Sequence, residues 1–135
     1  MRSPHMFIRF SIPSIIYVDE NNGIEVFKAG ADILRSGKTL IIFPEGTRTS
    51  DGTLQQFRSG VSYPAKKTNR PVIPVSVTGA YYIWPRNRLL PKIMNSRSGG
   101  LYIGDEIHPE GYESIESLNM AMSKAINDGI NKARA

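Results

Sequence analysis

The sequence predicts an α/β fold, a mixed sheet flanked by helices, on three observations. Short β-branched runs alternate with helical periodicity in the first third of the chain, a wholly apolar run near residue 40 reads as an inner strand, and the chain closes on a long amphipathic helix. With 135 residues, 40% apolar and 21% charged, it has the size and balance of one globular domain covering 1–135. The 12 Gly and 9 Pro are dispersed, which excludes collagen, coiled coil and wholesale disorder. There is no Cys, so disulfides, thiolate catalysis and Cys-ligated zinc drop out.

Ile15-Ile16-Tyr17-Val18 is β-branched and aromatic and ends at Asp19-Glu20-Asn21-Asn22-Gly23, a strand followed by a turn. Ile24, Phe27, Ala31 and Leu34 then recur at helical spacing, and Ser36-Gly37-Lys38 supplies the stop. Thr39-Leu40-Ile41-Ile42-Phe43 is expected to be an inner strand covered on both faces, completing a β-α-β unit. Pro44 to Gly52 is a polar loop at the carboxyl end of that strand, where open α/β sheets place their ligands.

From Gly60 to Thr68 a short helix is possible only if Pro64 falls in its first turn or kinks it. Val72-Ile73-Pro74-Val75-Ser76-Val77 reads as a strand that Pro74 demotes to an edge or a bulge, ended by Thr78-Gly79. Tyr81 to Ser98 has no clean period and is expected to be an irregular loop, after which Leu101-Tyr102-Ile103 resumes a strand. Ile115, Leu118, Met122, Ala125 and Gly129 share one helical face, with Glu113 and Glu116 near its start and Lys132 and Arg134 near its end, as the helix dipole favours. No run approaches the roughly 18 apolar residues of a membrane span, and no signal peptide is read at the start.

The net charge of +5 is unevenly spread: between Gly52 and Gly104 there is no Asp or Glu, while Arg58, Lys66, Lys67, Arg70, Arg86, Arg88, Lys92 and Arg97 all fall there. Such a region attracts anions, whether nucleic acid, anionic lipid headgroups or a phosphorylated substrate. A solvated basic face is the plain alternative.

Within the polar loop, Phe43-Pro44-Glu45-Gly46-Thr47-Arg48 carries the chemistry. Pro44 turns the chain sharply, Gly46 permits close backbone approach, Thr47 offers a hydroxyl, and Arg48 presents a planar fork suited to phosphate. Glu45 is expected beside Arg48, orienting it. An ordinary loop would instead pair Glu45 and Arg48 in solvent for under ~1 kcal/mol.

Those six residues, followed by Phe57-Arg58-Ser59-Gly60 and then Val72 to Gly79, resemble the glycerolipid acyltransferases related to 1-acyl-glycerol-3-phosphate acyltransferase. At ~5% usage per residue type, six specified positions coincide by chance about once in 10⁷ to 10⁸ windows. The likeness runs from about Phe7 to Ile130. It implies a glycerol-phosphate acyltransferase-like domain that transfers a fatty acyl group from acyl-CoA or acyl-carrier protein to a lysophosphatidic acid-like acceptor, in phospholipid synthesis at the cytoplasmic face of a membrane. By the same resemblance, Glu45, Gly46, Thr47 and Arg48 bind the acceptor phosphate, Arg58 adds a second positive contact, and Pro74 shapes the acyl or acceptor pocket. Its partners are then a lysophospholipid, the acyl donor and an anionic membrane surface, with no nucleic acid, no metal and no bound cofactor beyond the donor.

The family's catalytic element, a His with Asp five residues later, is not found, and the resemblance implies a domain truncated at its N-terminus. His5 has Phe10 at that spacing, and His108, which has Glu113, reads as a surface histidine at the Gly104–Pro109 turn. Positioned base catalysis is worth ~10² to 10⁴ in rate, so the chain alone is expected to be inactive or weak. Glu20 stands where the family often carries a phosphate-holding Arg. Two other functions fit the composition: a non-catalytic peripheral lipid-binding protein, and a nucleic-acid binder using the bases interleaved with aromatics.

Overall fold

The computed structural model describes residues 23–58, 60–85, 88–91 and 99–134. The expected first strand at 15–18, His5 and Glu20 lie outside the described residues, as do Arg86, Lys92 and Arg97. Helices and a small sheet alternate along the chain, giving the α/β class expected. Four α-helices are described, α1 (Gly23–Arg35), α2 (Tyr63–Thr68), α3 (Ala80–Ile83) and α4 (Ile115–Arg134), with one 3-10 turn (Pro109–Gly111) and two strands, β1 (Val75–Val77) and β2 (Leu101–Ile103).

Helix α1 forms on the predicted periodicity and ends as its stop residues require. The Gly37 amide donates to the Leu34 carbonyl at 3.2 Å and the Lys38 amide to that of Ile33 at 3.4 Å, a Schellman closure of orphan carbonyls. Helix α2 satisfies the proline condition, since Pro64 sits within its first turn, where a missing amide donor leaves no intrahelical bond unmade. Gly30 of α1 meets Pro64 of α2 closely, because a Cβ there would lie 3.1 Å from the proline Cγ.

The sheet is an antiparallel ribbon in which Val75 faces Ile103, Ser76 faces Tyr102 and Val77 faces Leu101. Pro74 breaks the predicted 72–77 strand in two. Val72 forms an isolated bridge to Ile107, Pro74 lends only its carbonyl, to the Gly104 amide at 2.9 Å, and regular pairing starts at Val75. Helix α4 crosses one ribbon face. Gly129 is buried there because any side chain would overlap the Ser76 hydroxyl and come within 2.9 Å of the Tyr102 ring, and Ser76 Oγ donates to the Ile126 carbonyl at 2.8 Å.

The core gathers Val61, Leu118 and Met122, with Phe27, Phe57, Val72, Ile107 and Tyr112 packed around them. Leu118 and Met122 belong to the helical face read from the sequence. Lys66 is drawn into this framework, its ammonium donating to the carbonyls of Pro109 and Tyr112, so one base of the acid-free stretch is structural.

Two expectations are corrected. Residues 39–43 carry no ladder hydrogen bond among the described residues, and Ile41 and Phe43 are about four-fifths exposed (81% and 82%) rather than covered. An apolar β-branched run specifies that cover is needed; it does not specify what supplies it. The loop expected from Tyr81 opens instead as one helical turn, α3, because Gly79 takes φ +83° and lets the chain reverse straight into it.

Candidate functional site

The strand-exit motif folds into a tight turn. The Gly46 amide donates to the Phe43 carbonyl at 3.0 Å, with Pro44 fixing the second position, and Gly46 adopts φ +68°, a left-handed conformation that costs a side-chain-bearing residue about 1–2 kcal/mol. The Arg58 amide donates to the Pro44 carbonyl at 2.9 Å, so the second motif block is fastened to the first. The Arg58 guanidinium lies across Gly46, where a Cβ would overlap its Nε.

Downstream, two carboxylates organise the loop. One oxygen of Asp51 accepts from the Thr53 amide at 2.9 Å, the Thr53 hydroxyl at 2.7 Å and the Thr49 hydroxyl at 3.0 Å. These donors, the Thr53 amide foremost, hold the Asp51 carboxyl below its ordinary value. Glu45 Oε2 accepts from the Gln55 amide at 2.7 Å.

Glu45 is therefore committed to backbone, and the pairing with Arg48 expected from the sequence is not formed. Arg48 instead lies over the Trp84 ring, 5.4 Å from its centroid, a cation–π contact made by an exposed side chain. Tyr81 packs on Gly52, whose Cβ would sit 3.2 Å from the ring. Through Tyr81 and Trp84, α3 and its exit form a floor under the loop.

Of the predicted site residues, the structure brings Glu45, Gly46, Thr47, Arg48 and Arg58 together around one turn. Pro74 lies just before β1, buried beside Gly104. Thr47 and both arginines are exposed, and among the described residues neither arginine pairs with a carboxylate. His108 is exposed and lies 3.6 Å from Glu106, not against Glu113, as a surface histidine would. Sequence reading took Trp84 and Tyr81 only as aromatics of the nucleic-acid alternative and did not place them at this loop. Their signal was the aromatic cluster directly after the Thr78-Gly79 stop, where an abrupt reversal returns the chain to the loop.

The chain belongs to the acyltransferase family: the Acyltransferase family model matches residues 3–78, which take in this turn. Among curated proteins it is 34% identical over 107 residues to the chloroplastic 1-acyl-sn-glycerol-3-phosphate acyltransferase LPAT1 of Arabidopsis thaliana, covering 79% of this chain and 29% of that protein. To the coconut (Cocos nucifera) 1-acyl-sn-glycerol-3-phosphate acyltransferase it is 39% identical over 57 residues, 42% of this chain and 18% of that one. In structure it resembles the 1-acyl-sn-glycerophosphate acyltransferase PlsC of Thermotoga maritima, with a TM-score of 0.74 and 31% identity over 81% of this chain and 44% of PlsC. The chain thus spans less than half the length of each of these relatives.

Proposed function

We propose that this chain supplies the acceptor-binding part of an enzyme that acylates a lysophosphatidic acid-like lipid to phosphatidic acid, with acyl-CoA or acyl-carrier protein as the donor. In that reaction the acceptor hydroxyl oxygen bonds to the thioester carbonyl carbon, the carbon–sulfur bond breaks, and the hydroxyl proton leaves with the thiol. The names of the acyltransferases it resembles support the reaction class.

One observation carries the reading: the Arg58 amide is tied to Pro44, which lays one guanidinium over Gly46 on the turn that leads to Arg48. A phosphate monoester carries up to two negative charges and three acceptor oxygens, and two planar forks on one turn suit it better than a lone ammonium would. Thr47 adds a hydroxyl. Glu45 works at one remove, holding the loop through Gln55 rather than touching the anion. Pro74, just before β1, would act on the acyl or acceptor pocket only through the position of that strand.

The acidic partner of the site is then the lipid itself, and the reaction takes place at an anionic membrane surface to which the protein is peripheral. No helix among the described residues is long and apolar enough to cross a membrane.

The test is selective binding. Arg48→Ala should weaken a short-chain lysophosphatidic acid by roughly 10- to 100-fold, the worth of a charge-assisted hydrogen bond, while changing uncharged monoacylglycerol little. Equal losses for the two lipids would remove the phosphate role.

A further inference from the structure

Exposed apolar side chains cluster where α3 ends. Leu89 is 84% exposed and Leu90 73%, between Arg88 and Pro91, and Trp84 just before them is 45% exposed. The Trp84 indole N–H donates to the Arg88 carbonyl at 3.0 Å, tying the leucine pair to the indole. The same indole carries the Arg48 guanidinium. Lipid-seeking and phosphate-seeking groups thus meet on one side chain.

We propose that Leu89 and Leu90, with Trp84 at their base, insert into the interfacial layer of an anionic bilayer and so hold Arg48 at the height of the headgroups. Adjacent aliphatic side chains in water gain by entering the acyl boundary, and tryptophan favours the interface, where its ring is apolar and its N–H finds a partner. Charge agrees: Arg88 is exposed beside the tip, and the stretch from Gly52 to Gly104 carries bases without a single Asp or Glu. A nucleic acid would satisfy the bases but leave the leucines in water. The proposal deepens the acceptor reading, on which only the link to Arg48 rests: a lysophosphatidic acid lying in the bilayer presents its phosphate at the depth where the indole sits.

Trp84 is the only tryptophan, so tryptophan emission, excited selectively at the red edge where the six tyrosines do not absorb, reports this segment alone. The probe is vesicles of phosphatidylglycerol and phosphatidylcholine in equal parts, with brominated acyl chains as quencher and no lysophosphatidic acid present, against phosphatidylcholine alone. On the anionic vesicles Trp84 emission should shift to the blue and be quenched, and the L89S/L90S variant should partition on the order of tenfold more weakly. Both leucines are exposed, so its circular dichroism should match the parent.

Absence of partitioning, partitioning with Trp84 unquenched, or equal partitioning of L89S/L90S would each overturn the proposal. So would salt-sensitive binding of oligonucleotides with none of vesicles. In a separate arm, L89S/L90S should still prefer soluble short-chain lysophosphatidic acid over monoacylglycerol. That preference surviving while the vesicle arm fails would remove the insertion and keep the phosphate loop; its loss in both proteins would remove the loop.

Discussion

Gly46 and Arg58 act as one unit, because the glycine has no Cβ and the guanidinium occupies the space one would fill. Gly46→Ala should therefore displace Arg58 as well as force a side chain into the left-handed region, and lose phosphate affinity to about the same extent as Arg58→Ala. Titration of both variants with lysophosphatidic acid checks this; a Gly46→Ala protein that binds like the parent would uncouple the two residues. Asp51 gives a pH prediction with a definite sign. Its pKa is lowered in the folded loop from an ordinary 3.8, so its contribution is fully present above that value and is lost as pH falls through the lower folded value. Amide exchange at Gly52 and Thr53 should stay protected from neutral pH down to about 4 after correction for intrinsic rates, and Asp51→Asn should raise it even at neutral pH.

At the scale of elements, the contact of α4 with the ribbon depends on Gly129. Gly129→Ala gains helix propensity but overlaps Ser76, and overpacking of this kind costs about 1–3 kcal/mol against a gain of about 1. Combining it with Ser76→Ala removes the atom it strikes, so urea unfolding should show the double variant more stable than the sum of the singles. Helices were the most legible elements, because a 3.6-residue period is written in a single segment: α1 and the apolar face of α4 follow it directly. Long-range relations were less legible. The exposure of Ile41 and Phe43 depends on neighbours the run itself does not encode, and one-turn α3 is too short for any period to register. The candidate site split the same way. Arg48 and Arg58 stand out by residue type and motif, whereas their supports do not. Glu45 could have paired with Arg48 on local grounds alone; only the folded loop shows its carboxylate taken by Gln55 and the guanidinium resting on Trp84.

At the scale of the whole molecule, one modest core among the described residues joins α1 and α4 to the Val72–Ile107 bridge, centred on the fully buried Leu118. Leu118→Ala should cost about 3 kcal/mol by cavity formation, and thermal unfolding would register it as a large fall in Tm. The Gly46 turn and the Trp84 segment lie outside that core and are held mainly by hydrogen bonds and ring contacts. Binding therefore separates from stability: the arginine variants should unfold like the parent, and Leu118→Ala, while still folded, should retain lipid selectivity. The most direct measurement is a crystal structure of the chain with glycerol 3-phosphate. The account predicts the phosphate beside Gly46, within hydrogen-bond reach of both the Arg48 and Arg58 guanidinium groups; a phosphate bound elsewhere, with both side chains left in solvent, would contradict it.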